Sequence, residues 1–343
     1  MDRNERQKLS IVKWLKNGGI GCIEAATGYG KTRVALLVIK SLVSKNSNSS
    51  IIIVVPTETL KDQWTNLLIS WGLIQYCKVE IINSVINKSW SCDLLIIDEV
   101  HIVASDTFQR VFDVVDYKMI LCLTATLNRI DKKEEIIKKY APVVDSITLR
   151  EAEENGWVSP HKEYAVLLDV DLTEYNELNR KFNSYFAYFN WDFNLALNCC
   201  SDWKLRNSFA KQMGVQPKEV LKMSVEWGRY MRKRKEFIMS HPKKLEICRK
   251  ILNARKDKKC LTFSATISDA EAIGIGDVIH SKKSKTKNKK IIEEFNNKSC
   301  GVLCSSKSAD CGVDISGLSV GVIMSVDSSK IRKTQRVKKS LSF

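Results

Sequence analysis

No apolar run in this 343-residue chain approaches the length of a membrane span, and residues 1–10 are too polar for a secretory signal. Membrane insertion and export are therefore not expected. No self-similarity shows at a solenoid period, which excludes a repeat array. Cys300, Cys304 and Cys311 lack the paired C-x-x-C spacing of a zinc site, and two of them flank the strand-like Gly301-Val302-Leu303, so core thiols are expected there. Cys199-Cys200 is likewise read as packing. No carboxylate–lysine cluster of the nuclease kind stands out, so any cleavage would need a partner protein.

What is present is ordinary for a soluble protein: 44% hydrophobic and 27% charged residues, enough for two or three domains with a sizeable core. Eleven cysteines without export apparatus point to a reducing, cytoplasmic compartment. The wealth of Lys, Ile and Asn fits an AT-rich genome, of a bacterial cell or of a phage in its host. The net charge is +16, and it is uneven. About +4 falls on residues 1–150, about zero on 151–240 and about +12 on 241–343. Within the middle segment, 151–203 carries about −7 and 204–240 about +7. A basic excess of this kind suits a polyanionic partner, nucleic acid ahead of an acidic membrane.

The most specific local pattern is Ala25-Ala26-Thr27-Gly28-Tyr29-Gly30-Lys31-Thr32. It follows a strand-like stretch (Ile20, Cys22, Ile23) and precedes helical periodicity at Val34, Leu37, Val38 and Leu42. Gly28 and Gly30 let backbone N–H groups curl around a phosphate, Lys31 brings charge to the β/γ oxygens, and the Thr32 hydroxyl can ligate Mg²⁺. The strict phosphate-loop pattern has Gly where Ala25 stands. A nucleoside triphosphate is the expected ligand.

Short apolar runs at 51–55, 94–97 and 120–123 suit parallel strands buried on both faces, with a helix expected over 58–69 between the first two. Strands alternating with helices give an α/β sheet whose functional groups lie at the strands' carboxyl ends. From about 173 to 238 the pattern turns helical and aromatic (Tyr175, Phe182, Tyr185, Phe186, Tyr188, Phe189, Trp191, Phe193), and most of these rings are expected in a core. Strands return at 260–264, 301–304 and 320–326, and the lysine-rich 282–290 separates His280 from a helix at 291–296. The expected domains are 1–150, a nucleotide-binding domain; 151–240, a connecting strand and helical insertion; and 241–343, a basic second domain, short at its C-terminus.

A triphosphate site needs a second acidic group for metal and water. Asp98-Glu99-Val100-His101 directly follows the apolar 94–97, so the strand end aims Asp98 at Mg²⁺ and places Glu99 to polarise the attacking water. This sequence resembles motif II of helicase superfamily 2, in the variants close to the DEAH box. Further stretches resemble that family's motifs in order. Gln7 stands like the glutamine that reads adenine, and Pro56-Thr57-Glu58-Thr59-Leu60 with Gln63-Trp64 is similar to motif Ia. Thr124-Ala125-Thr126 is similar to motif III, Phe263-Ser264-Ala265-Thr266 to motif IV, 305–314 with Gly312-Val313-Asp314 to motif V, and Gln335-Arg336 to the start of motif VI.

The resemblance implies two RecA-like parallel-sheet domains that bind ATP and Mg²⁺ between them and move along a nucleic-acid strand. It implies nucleotide contacts at Gln7, Thr27, Gly28, Gly30, Lys31, Thr32, Gly312, Asp314, Gln335 and Arg336, metal contacts at Thr32 and Asp98, and chemistry at Lys31, Asp98, Glu99 and His101. His101 would link the acidic site to motif III or motif VI. Strand contacts are expected at Thr57, Thr124 and Thr126, and the basic stretch 229–235 adds Arg229, Arg232 and Arg234. The motif variants favour DNA over RNA, as in repair, recombination and restriction-type translocases, with a nuclease or regulatory protein as a further partner.

Motif VI departs from the family's Gln-x-x-Gly-Arg-x-x-Arg. Lys338 stands for the glycine, Lys339 for the first arginine and Ser342 for the second. Lysine lacks the planar fork that arginine presents to phosphate. The alternative reading is therefore a regulatory protein that binds ATP and nucleic acid with little turnover.

Overall fold

The computed structural model describes residues 1–105, 107–127, 133–306 and 315–325. Its contacts divide the chain into two units, residues 1–163 with 254 onwards, and residues 164–253. No helix among the described residues is long and apolar enough to cross a membrane.

The first unit opens with helix α1 (Arg3–Lys16), started by a capping box in which Asp2 and Glu5 each accept from the other's backbone N–H. Strand β1 (Ile20–Ala25) leads through the glycine loop into α2 (Lys31–Lys45). There follow β2 (Ile51–Val55), α3 (Glu58–Ser70), β3 (Cys77–Ile81), the single turn α4 (Ile82–Val85) and β4 (Trp90–Asp98). The short α5 (Val111–Val114) precedes β5 (Val115–Thr124), then α6 (Glu134–Tyr140), β6 (Val143–Ile147) and α7 (Leu149–Glu154).

The six strands form one parallel sheet in the order β3-β2-β4-β5-β1-β6. Side chains alternate across a strand, so each apolar run feeds two cores. Ile51, Ile53 and Val55 join Leu94, Ile96, Leu121 and Leu123 on one face. Ile52 and Val54 join Leu95, Ile97, Ile120 and Cys122 on the other. Both faces are thus covered, which is why these runs are continuous rather than alternating. The strands' carboxyl ends carry the glycine loop after β1, Thr57 after β2, Asp98 at the end of β4 and Thr124 at the end of β5.

None of residues 151–172 forms a strand, contrary to the expected connecting strand: 151–154 complete α7, and 159–172 have no regular secondary structure. The apolar residues there have no strand to pair with, and Leu167 is 93% exposed.

The second unit is helical: α8 (Thr173–Ala187), α9 (Phe193–Ser201), α10 (Trp203–Met213), α11 (Pro217–Met239) and α12 (Pro242–Asn253). Phe189, Cys199, Phe209, Val220 and Trp227 make its core, with Phe182, Tyr185, Phe186 and Tyr188 packed against it. Most of the aromatic stripe is therefore core, whereas Trp191 and Phe193 are at least half exposed.

The chain then adds β7 (Lys259–Ser264), α13 (Ile267–Ala272), β8 (Asp277–Ile279), α14 (Lys285–Asn296), β9 (Gly301–Ser306) and β10 (Val320–Ile323). These strands form a second parallel sheet in the order β10-β7-β9-β8, with Leu261, Phe263, Ile279, Phe295 and Leu303 in its core. Helix α14 begins inside the lysine run rather than after it. Ser284 caps it by accepting from the Lys287 N–H, and Lys289–Glu293 and Lys290–Glu294 pair one turn apart. Cys304 is buried, whereas Cys300 is exposed; Cys311 lies outside the described residues.

Candidate nucleotide site

The glycine loop is built where β1 must reverse into α2. Gly28 has φ +84° and Gly30 φ +94°, a left-handed backbone that costs other residues about 1–2 kcal/mol. A side chain at either position would also have to displace a neighbour. A Cβ on Gly28 would lie 2.9 Å from Val158 Cγ1, and one on Gly30 would lie 2.6 Å from Gln7 Nε2. Ala25 closes β1, fully buried and with no positive φ, so the missing glycine of the strict pattern is not needed there. Lys31 starts α2, and its Nζ donates to the Ala25 carbonyl at 2.9 Å. Thr27 and Thr32 are half-buried beside it.

Gln7 faces the loop from α1. Its Nε2 donates to the Tyr29 carbonyl at 2.8 Å, and its Oε1 accepts from Arg33. Tyr29 itself turns inward, fully buried, a placement that nothing in the loop's sequence signals.

The acidic pair follows β4. Asp98 is 8% exposed; its Oδ2 accepts from Trp64 Nε1 at 2.9 Å and its Oδ1 from the Glu99 N–H at 2.9 Å. Burial, with the charge of Glu99 adding to it, pushes Asp98 up to about 6 against the pull of Trp64 and Lys31. Glu99 is one of three non-glycine residues with positive φ among those described, at φ +50°. Such strain persists only where surrounding structure holds it, and here it directs a carboxylate at the sheet's functional edge.

His101 joins this pair to β5. Its Nδ1 lies 3.3 Å from Glu99 Oε2 and 3.2 Å from Thr124 Oγ1. Thr124 Oγ1 also lies 3.0 Å from the Thr126 carbonyl, to which it donates. Thr124 is fully buried and its hydroxyl is engaged in this way. It stands behind the acidic site, not on a surface that a strand could touch, which corrects its expected role as a strand contact. The Thr126 N–H also returns to Thr124 Oγ1 at 3.3 Å. Thr57 caps α3 through the Leu60 N–H at 3.3 Å.

The structure thus gathers Gln7, Thr27, Gly28, Gly30, Lys31, Thr32, Asp98, Glu99, His101, Thr57, Thr124 and Thr126 onto one domain, most of them along one sheet edge. Gly312, Asp314, Gln335 and Arg336, with Lys338, Lys339 and Ser342, lie outside the described residues. In the helical unit, Arg229 pairs with Glu226 at 2.5 Å and lies over Tyr230. Arg234 packs on the Phe182 ring at 4.0 Å, while Arg232 is exposed with Lys233 and Lys235. Trp64, which the sequence places in the stretch similar to motif Ia, is buried and orients Asp98.

A parallel sheet with a glycine loop after one strand and Asp-Glu at the end of another defines a RecA-like nucleotide-binding domain. The family described as helicase conserved C-terminal domain matches residues 243–341, and the family described as type III restriction enzyme, res subunit, matches residues 1–89 and 83–129. The two matched families, one in each part of the chain, and the relative described next support a helicase of superfamily 2. It is 24% identical to the DNA 3'-5' translocase XPB2 of Sulfurisphaera tokodaii over 368 residues, covering 98% of this chain and 78% of that one. Among solved structures, the Hef helicase domain of Pyrococcus furiosus matches with a TM-score of 0.52 at 15% identity, covering 96% of this chain and 92% of that one. Dbp5 of S. cerevisiae, bound to RNA and ADP BeF3, matches with a TM-score of 0.57 at 13% identity, covering 97% and 79%. Both likenesses are of fold.

Proposed function

We propose that this chain hydrolyses ATP to move along nucleic acid, DNA in preference to RNA, as a translocase or helicase. The observation that carries this reading is the meeting of the glycine loop with the strained Asp98-Glu99 turn at one sheet edge, tied through His101 to Thr124. Loop N–H groups and Lys31 hold the triphosphate, with Lys31 exchanging the Ala25 carbonyl for phosphate oxygens. Gln7 reads the adenine edge. Asp98 and Thr32 offer hard oxygen donors, and a carboxylate buried against Glu99 is the kind of group a small divalent cation stabilises. Mg²⁺ bound there neutralises charge that develops on the phosphates. Glu99 orients and deprotonates the attacking water, and His101 holds Glu99 in place. By the family resemblance, Gly312, Asp314, Gln335 and Arg336 meet the same nucleotide, and Thr57, Thr126 and Arg232 meet the strand.

The relative's name supports DNA as the track and 3'-to-5' as the direction. The test is displacement of streptavidin from biotinylated single-stranded DNA. ATP-dependent displacement from the 5' end and not the 3' end is expected. Displacement from neither end, with no ATP turnover, would favour the regulatory alternative that Lys338 and Lys339 raise.

A further inference from the structure

We propose that Tyr29 is a positioning residue that sets the phosphate-binding shape of the loop by tying it to α1; this rests on reading the loop as an ATP site. Gly28 and Gly30, on either side of it, are the residues least able to hold a conformation on their own. The hold must come from outside them, and the contacts of Tyr29 supply it.

Its ring is fully buried, with its centroid 5.7 Å from that of Trp157. Its hydroxyl lies 3.1 Å from Ser10 Oγ, and Ser10 Oγ lies 2.7 Å from Asp145 Oδ2. Asp145 carries no proton to give, so Ser10 donates to it and Tyr29 donates to Ser10. The Tyr29 carbonyl accepts from Arg3 Nε at 2.9 Å and from Gln7 Nε2 at 2.8 Å, and the Gly28 carbonyl accepts from Arg3 Nη2. Arg3, Gln7 and Ser10 recur at helical spacing on one face of α1. One helix face therefore grips two consecutive loop residues, Gly28 and Tyr29, with the Tyr29 side chain as the handle.

A loop freed of this hold spends less time in the competent shape, and apparent affinity falls by the same fraction. Saturating nucleotide restores the shape, so kcat is spared while Kd and KM rise. A residue needed only for folding would lower the amount of active protein without this split.

The test measures Kd for a fluorescent ADP, and KM and kcat for ATP, in the unaltered chain, Tyr29→Ala, Tyr29→Phe and Lys31→Ala. Tyr29→Ala is expected to raise Kd and KM by roughly tenfold or more with kcat within about threefold. Tyr29→Phe, which keeps the ring but loses the bond to Ser10, is expected to raise Kd less, by about threefold. Wild-type Kd and KM in Tyr29→Ala, or a loss confined to kcat, would overturn the proposal. Should Tyr29→Ala fail to fold, Tyr29→Phe and Ser10→Ala decide: Kd raised in both supports it, and Kd unchanged in both overturns it. Nucleotide binding that is as tight in Lys31→Ala as in the unaltered chain would instead overturn the ATP reading itself, whatever Tyr29 does.

Discussion

Glu99→Gln is expected to lower ATP turnover by about 10²–10⁴-fold, the range for loss of a general base, while ATP binding stays near that of the unaltered chain. The amide keeps the size of the side chain but cannot take a proton from water. Asp98 and Lys31, proposed to reach metal and phosphate, are untouched. A companion substitution separates chemistry from strain. Glu99 sits at φ +50°, so Glu99→Gly should stabilise the fold by about 1 kcal/mol while losing turnover to the same degree. Turnover and equilibrium unfolding measured on both variants check this. A Glu99→Gln enzyme that hydrolyses ATP at the original rate would remove Glu99 from the chemistry.

The largest expected stability effect lies behind the loop, at Asp145. Its side chain is 1% exposed and takes bonds from Arg6 Nη1 at 2.6 Å, Arg6 Nη2 at 3.0 Å, Lys13 Nζ at 2.6 Å and Ser10 Oγ at 2.7 Å. Burial by itself would raise the Asp145 pKa, but these bonds outweigh it and hold the carboxyl below its ordinary value. Asp145→Ala leaves the 8%-exposed Arg6 side chain without its main partner and should cost about 3–5 kcal/mol, read by urea unfolding. The pH dependence follows in sign. A lowered folded pKa means that the stabilisation is full above the unfolded carboxylate value and is lost as pH falls through the lower folded one. Asp145→Asn should therefore flatten the acid limb of the stability profile below about pH 4. An acid limb as steep as that of the unaltered chain would show that the network is not what acid disrupts.

Much of the site was legible because its determinants are local. Gly28-Tyr29-Gly30-Lys31 needs only the strand before it and the helix after it, and Asp98-Glu99 needs only the apolar run that ends there. The continuous runs at 51–55 and 94–97 read correctly as parallel strands because both faces are buried. What was not legible depends on partners far apart in the chain. No spacing rule joins Trp64 to Asp98 or Arg6 to Asp145, and the buried pocket that takes the Tyr29 ring is made by Trp157. The start of α14 was missed for a different reason. The lysine run masks a capped helix whose pairs with Glu293 and Glu294 offset the crowding of like charge.

The glycine loop and the Asp98-Glu99 turn are proposed to form one ATP-hydrolysing site coupled to a nucleic-acid strand. Steady-state ATPase rates of the unaltered chain and Lys31→Ala, each with and without single-stranded DNA, test it most directly. A DNA-stimulated rate is expected in the unaltered chain, and Lys31→Ala is expected to abolish it. No stimulation by DNA, together with the same rate in Lys31→Ala, would contradict it.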